Sequence, residues 1–190
     1  MRMPSAFVVS LLTAVGPFAS DTATVEENAI LVLALKQSYP DSGYTIVNPV
    51  TGLSRLLSFG AELEQQQKQY IVKDFDTAGF DVAGLVDSLF QRNGKSIRLT
   101  LPSSPKDGYV IGYDELMRPN NGGWLKWQKE NPKAHGITTV ALPVYDPKSG
   151  LVLMYVGMMF GPRAGTGWLV LYKYESGELK ELHRMMVWIS

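Results

Sequence analysis

The sequence predicts an α+β fold, a single antiparallel β-sheet carrying helices packed mainly on one face. Three observations predict it. Four apolar strand patterns follow one another at 137–145, 151–160, 167–174 and 179–189, joined only by the short turn sequences DPKSG, GPRAGT and ESGE. A parallel pair needs a crossover of a dozen or more residues, so links this short force a consecutive antiparallel meander. The run 151–160 is apolar except at Gly157, so both of its faces must be covered and it is a central strand. The clear helix-period patterns all precede the meander, which leaves them to form the covering layer.

Bulk properties narrow the class. A chain of 190 residues with a hydrophobic fraction of 45% fits one globular domain. Lys plus Arg and Asp plus Glu balance at 18 each, and no two Lys or Arg residues are adjacent. Displacing counterions from phosphates needs a cationic surplus, so neither a nucleic-acid partner nor an adsorbing face for anionic lipid is expected.

Residues 1–20 read as a leader. Arg2 supplies a positive start, Ala6 to Gly16 form an apolar core broken only by Ser10 and Thr13, and Gly16-Pro17 end it. The core is shorter than the ~20 apolar residues of a spanning helix and has the layout of a secretory signal peptide. Ala19, Ser20 and Ala23 are the small residues available at a cut; the alternative is a buried N-terminal helix bracketed by Pro4 and Pro17. Cleavage would leave residues 21–190 as a single α+β domain, exported to the periplasm or secreted, with no transmembrane span. Removing residues 1–20 takes away one charge, Arg2, and leaves 17 basic and 18 acidic side chains. The chain has no cysteine, which rules out disulfides and a thiol-linked lipid anchor.

Each element has a local reason. Thr24-Val-Glu-Glu27 is a capping box that predicts a helix from Val25 to about Ser38. Its stripe is Val25, Ala29, Val32 and Leu33, and Ile30, Leu31 and Leu35 make it apolar nearly all round. Tyr44–Val47 reads as a short strand ended by Asn48-Pro49. Leu63, Tyr70, Ile71 and Phe75 predict a helix from about Ala61 to Asp74. Asp81, an N-cap candidate, opens a helix whose apolar stripe is Val82, Leu85, Val86, Leu89 and Phe90, with Asn93-Gly94 as a left-handed stop. That stripe is the natural cover for one face of the sheet. Ile97, Leu99 and Leu101 alternate as a strand, and Asp114-Glu-Leu-Met117 opens a helical turn. Trp124 and Trp127 share a helix face that Asn131-Pro132 ends. Pro143 lacks a ladder donor, so 137–145 should carry an edge or a bulge there.

Several of these elements form a pattern: Phe90 with Asn93, Gly123-Trp124, Pro132, Gly136, Leu142-Pro-Val-Tyr-Asp146, Val152 to Val156, Gly165-Thr-Gly167 and the closing Trp188-Ile-Ser190. Together they resemble a group of exported bacterial proteins whose C-terminal antiparallel meander ends in W-x-S and to which no activity is assigned. The likeness runs from Phe90 to the last residue. After Gly136 this chain continues Ile-Thr-Thr where the pattern has a serine. The resemblance implies export and one α+β domain, and it carries no catalytic residue.

No motif names a reaction. Gly161-Pro-Arg-Ala-Gly-Thr-Gly167 could cradle an anion with Arg163, but it leads into a strand rather than a helix and carries no lysine, so a hairpin connection is expected. Two histidines and no cysteine fall short of a zinc set, and neither a metal nor a cofactor is expected. A hydrolase could be assembled from His135 with Asp146 and Ser149, or from His183 with Glu181, although turn chemistry already accounts for Asp146 and Ser149. Met154 and Met158 share one face of their strand and Met159 the other, the pattern of flexible core filling. Trp168, Tyr172 and Tyr174 fall on one strand face with Val170 between them. If the Trp124–Trp127 helix leaves that face open, it is an aromatic platform. The expected function is therefore a non-enzymatic binding module of the cell envelope, with Trp168, Tyr172, Tyr174, Arg163 and Trp124 as candidate contacts for a protein or small ligand. The alternative is a small periplasmic hydrolase using one of the two histidine–carboxylate pairs.

Overall fold

A computed structural model describes residues 22–38, 43–53, 61–112 and 123–190. The leader pattern at 1–20 and the turn expected at Asp114–Met117 lie outside the described residues. In chain order the elements are α1 (Val25–Ser38), β1 (Tyr44–Val47), α2 (Ala61–Thr77), α3 (Ala83–Arg92), a 3-10 turn (Pro105–Asp107), β2 (Tyr109–Ile111), α4 (Gly123–Glu130), β3 (Ala134–Val140), β4 (Val144–Asp146), β5 (Leu151–Gly161), β6 (Ala164–Glu175) and β7 (Glu178–Ile189). Among the described residues no helix is long and apolar enough to cross a membrane.

The strands form one sheet in the order β2-β1-β3-β5-β6-β7, with β4 pairing β5 beside β3. The meander is present: β3 and β4 pair antiparallel to β5, β5 to β6 and β6 to β7. The sheet is not purely antiparallel, however. β1 lies parallel to both β2 and β3. The chain between these strands is long and contains helices, so the short-link rule that fixes the meander does not bind them. Ile97, Leu99 and Leu101 are buried as their alternation requires, but the segment makes only an isolated bridge, Val50 with Arg98.

Helices cover both faces unequally. Cross-strand partners share a face, so Ile137, Tyr155, Leu169 and Leu171 lie on one side and Val140, Met154, Val170 and Tyr172 on the other. The first side is covered by α2 and α3, through Ile71, Phe75, Val86, Leu89 and Phe90, and by α4, through Trp127 against Ile46 and Ile137. On the second side α1 is the one helix among the described residues, with Ile30, Leu31, Ala34 and Leu35 in one core with Val152, Met154, Val170 and Tyr172. The expected stripe on α1 is thereby rotated: Val25 is 89% exposed. The capping box forms as read. The Glu27 N–H donates to Thr24 Oγ1 at 3.1 Å, and the Thr24 N–H donates to Glu27 Oε2 at 2.6 Å. Arg92 at the end of α3 also grips Glu27, at 2.6 and 2.9 Å, and so ties helices from opposite faces together. Burial pushes the Glu27 carboxyl up, but its bonds to Arg92 and Thr24 outweigh that and hold it below its usual range.

At Pro143, where an edge or a bulge is expected, the strand instead breaks between Val140 and Val144, and the piece beyond it pairs with β5. The break needs outside partners for its backbone, and Asn93 supplies them. The Leu142 N–H donates to Asn93 Oδ1 at 2.7 Å, and Asn93 Nδ2 donates to the carbonyls of Leu142 and Leu89 at 3.0 Å. Asn93 is thus not a left-handed stop. Its φ is −104° and its side chain is 49 residues from the backbone it satisfies.

Candidate functional site

The face of β6 that carries Trp168, Val170, Tyr172 and Tyr174 is half covered. Val170 and Tyr172 are 2% and 4% exposed in the core that includes α1. Burial first, and the nearby Glu181 charge second, push the Tyr172 phenol up to about 12. Tyr174 is half-buried and meets Tyr145 edge to face at 5.5 Å. Toward the other end of the strand the described residues give less cover. Trp168 stands opposite Val156 on β5 and Met186 on β7, and Thr166 stands opposite Met158 and Ile189. Trp168, Val156 and Met158 are half-buried, whereas Met186 and Ile189 are 46% and 71% exposed. The indole N–H of Trp168 donates to Thr166 Oγ1 at 3.0 Å, and the Arg184 guanidinium lies 5.5 Å from the ring centre while bonding Glu181 at 2.6 Å. This is an apolar patch with one aromatic anchor and a charged rim.

The other candidate contacts lie elsewhere. Trp124 is on the opposite face, edge-on to Trp127 at 5.0 Å beside Ile46 and Ile137. It neither covers Trp168 nor joins it. Arg163 is exposed at the β5–β6 hairpin tip, where Gly161 pairs with Ala164 and the Gly161–Gly167 segment runs straight into strand. That is the hairpin connection rather than a cradle at a helix start.

Neither expected histidine–carboxylate pair forms. Ile137 pairs with Met159 at one end of β5 and Asp146 with Leu151 at the other, which separates His135 from Asp146 by most of a strand. Asp146 instead closes its own turn. Its carboxylate accepts from the Ser149 hydroxyl at 2.6 Å and from the backbone N–H groups of Lys148 and Ser149, and these bonds, the hydroxyl first, hold it below its usual range. Glu181 and His183 would share a face by simple alternation, but the register slips between them. His183 pairs with Leu171 and Glu181 with Tyr172, so they lie on opposite faces. The partner of His183 is Asp74 on α2, with Nε2 3.0 Å from Oδ1, and the ring stands edge-on to Phe75 at 5.0 Å. This contact spans 109 residues, and no sequence spacing announces it.

Two clefts adjoin these groups. One of about 390 Å³ is lined by Tyr70, Lys73, Asp74, Thr77, Ala78 and His183. The other, of about 720 Å³, lies between the start of α3 and the β4–β5 turn, with Asp81, Ser88, Asp146 and Ser149 as its polar lining. Among the described residues no group of three or more His, Cys, Asp or Glu side chains could hold a metal ion. Comparison with known proteins finds no matching family model, no matching curated protein and no matching solved structure.

Proposed function

We propose that this chain is an exported, non-enzymatic binding module whose partner docks on the uncovered half of the α1 face, with Trp168 as anchor. The observation that carries this reading is the contrast along one strand: Tyr172 is buried in the core that includes α1, while Trp168 borders the exposed side chains of Met186 and Ile189. Buried aromatic anchors ringed by apolar neighbours dominate protein interfaces, and exposed contiguous apolar surface of this kind is a common mark of one. Export rests on the leader pattern of residues 1–20 and on the resemblance of the C-terminal half to exported bacterial proteins. Residues 21–190 used as bait in an envelope extract should retain a partner that Trp168→Ala and Met186→Asp both release. Recovery of every bound protein by both variants at the wild-type level would remove the proposal. Mass spectrometry of the native protein should find an amino terminus near residue 21.

A second reading, a hydrolase, has one observation in its favour: the His183–Asp74 pair beside the 390 Å³ cleft. A carboxylate that orients a histidine is half of a general-base arrangement. Of the two hydroxyls in that cleft, on Tyr70 and Thr77, Thr77 Oγ1 already donates to the Lys73 carbonyl at 2.8 Å. Turnover of chromogenic esters that His183→Ala abolishes without unfolding the protein would favour this reading over docking.

A further inference from the structure

Gly157, Gly165 and Gly167 lie on the face shared with α2, α3 and α4, and none of them has a positive φ. Backbone freedom is therefore not what these positions require. Register sets Gly157 opposite Gly167, and Gly167 opposite Trp188. The Trp188 indole lies across all three. A Cβ added at Gly157 would stand 3.3 Å from Cζ2 of the ring, one at Gly165 would stand 3.1 Å from Cη2, and one at Gly167 would collide with Nε1. Nε1 donates to the hydroxyl of buried Tyr155 at 2.8 Å. The Met159 sulfur borders the same space beside Gly165. Just beyond the ring, Ser190 and Gly165 exchange backbone hydrogen bonds of 3.0 and 3.1 Å.

A second irregularity puts the ring there. Trp168 pairs with Met186 and Gly167 with Trp188, which leaves Val187 without a cross-strand partner. Unbroken alternation would place Trp188 on the same side as Met186, away from the glycines. The bulge turns it onto the one part of the opposite face where three side chains are missing.

We infer that Gly157, Gly165, Gly167, Met159 and Tyr155 form a slot for one flat aromatic ring bearing an edge N–H, and that Trp188 is the chain's own occupant, strapping the end of β7 across the sheet. Emptied of its ring, the slot is a binding site for a planar heteroaromatic such as indole. Truncating a large packed aromatic leaves a cavity, so Trp188→Ala should melt on the order of 10 °C below wild type.

The probe is indole itself, at millimolar concentration. It should raise the melting temperature of Trp188→Ala by a few degrees and leave wild type unmoved, because only the variant has room. 1-Methylindole, which lacks the N–H, should rescue less, and cyclohexanol, which is not planar, should not rescue. Equal shifts in both proteins, or equal rescue by cyclohexanol, overturn the slot. Wild-type melting of Trp188→Ala overturns the strap. Should Trp188→Ala fail to fold, Gly167→Ala decides: its Cβ should expel the ring and lower the melting temperature, whereas Gly84→Ala, whose Cβ meets nothing within 4 Å, should not. Gly167→Ala melting with wild type would sink the inference.

Discussion

The two hairpins that share β6 differ in regularity. Between β5 and β6 pairing runs unbroken from Leu151 with Lys173 to Met159 with Gly165, and alternation assigns every side chain to its face. Between β6 and β7 the register slips twice, at Val187 and at Leu182. Each slip reverses the facing of the residues beyond it. Trp188 and His183 thereby reach the side of α2, α3 and α4, to meet the glycine slot and Asp74, while Met186 and Glu181 stay on the α1 side. β7 ends the sheet, where bulges also blunt the open edge against pairing with other chains. The regular hairpin builds the core. The bulged one re-aims individual side chains.

Deleting single residues breaks this comparison most severely. Removing Val170 from β6 should slip one side of the strand by a residue and send its buried set to the wrong face. The variant should show no cooperative unfolding transition. Removing Leu182 should do far less. It leaves Leu171 opposite His183 and Tyr172 opposite Glu181 as adjacent pairs, so both flanking registers survive. The cost is the packing of one half-buried leucine, roughly 1–2 kcal/mol by urea denaturation. A deletion of Leu182 as damaging as that of Val170 would mean that the bulge is itself a structural requirement.

Point substitutions on either side of the same bulge should sharpen the contrast. His183→Ala removes a hydrogen bond to Asp74 and an edge contact with Phe75, and should destabilise by about 1–2 kcal/mol. Glu181→Ala removes an exposed ion pair with Arg184 and should cost about 0.5 kcal/mol or less. Equal costs in urea denaturation would contradict the assignment of the two side chains to different faces.

Legibility in the sequence divides along the same line, between local pattern and long-range packing. The meander, the central position of 151–160, the extent of α1 and the 82–90 stripe are all consequences of local pattern, and all are present. The parallel placement of β1 was not legible, because its partners β2 and β3 are set by packing over long separations. β2 itself is only three residues long, too short to announce itself. Alternation correctly placed Trp168, Tyr172 and Tyr174 on one face. It could not say that α1, rather than the Trp124–Trp127 helix, covers only one end of it. The spacing of Glu181 and His183 misled because a bulge leaves no mark in composition. Asn93 looked like a helix stop because Asn-Gly so often is one, whereas its buried amide is used to satisfy Leu142.

The smallest expected effect tests the covered half of the α1 face. Tyr172 pairs with Val152 on the regular side and with Glu181 beyond the bulge. In the unfolded chain its phenol should lose its proton near pH ~10, whereas in the folded protein it holds on to about 12. The folded state then binds the extra proton between those values, so stability is fully present below pH ~10 and falls as pH rises toward ~12. Unfolding in urea at pH 9, 10 and 11 should show wild type losing stability more steeply than Tyr172→Phe, which has no proton to lose. Burial pushes the Tyr109 phenol up as well, so absorbance at 295 nm should show the late-ionising tyrosines of wild type reduced by one in Tyr172→Phe. Burial is the main cause of the shift, so this titration reads how well the core that includes α1 seals Tyr172. Parallel losses in the two proteins would mean that α1 does not seal that end of the sheet, and the asymmetry that singles out Trp168 would go with it.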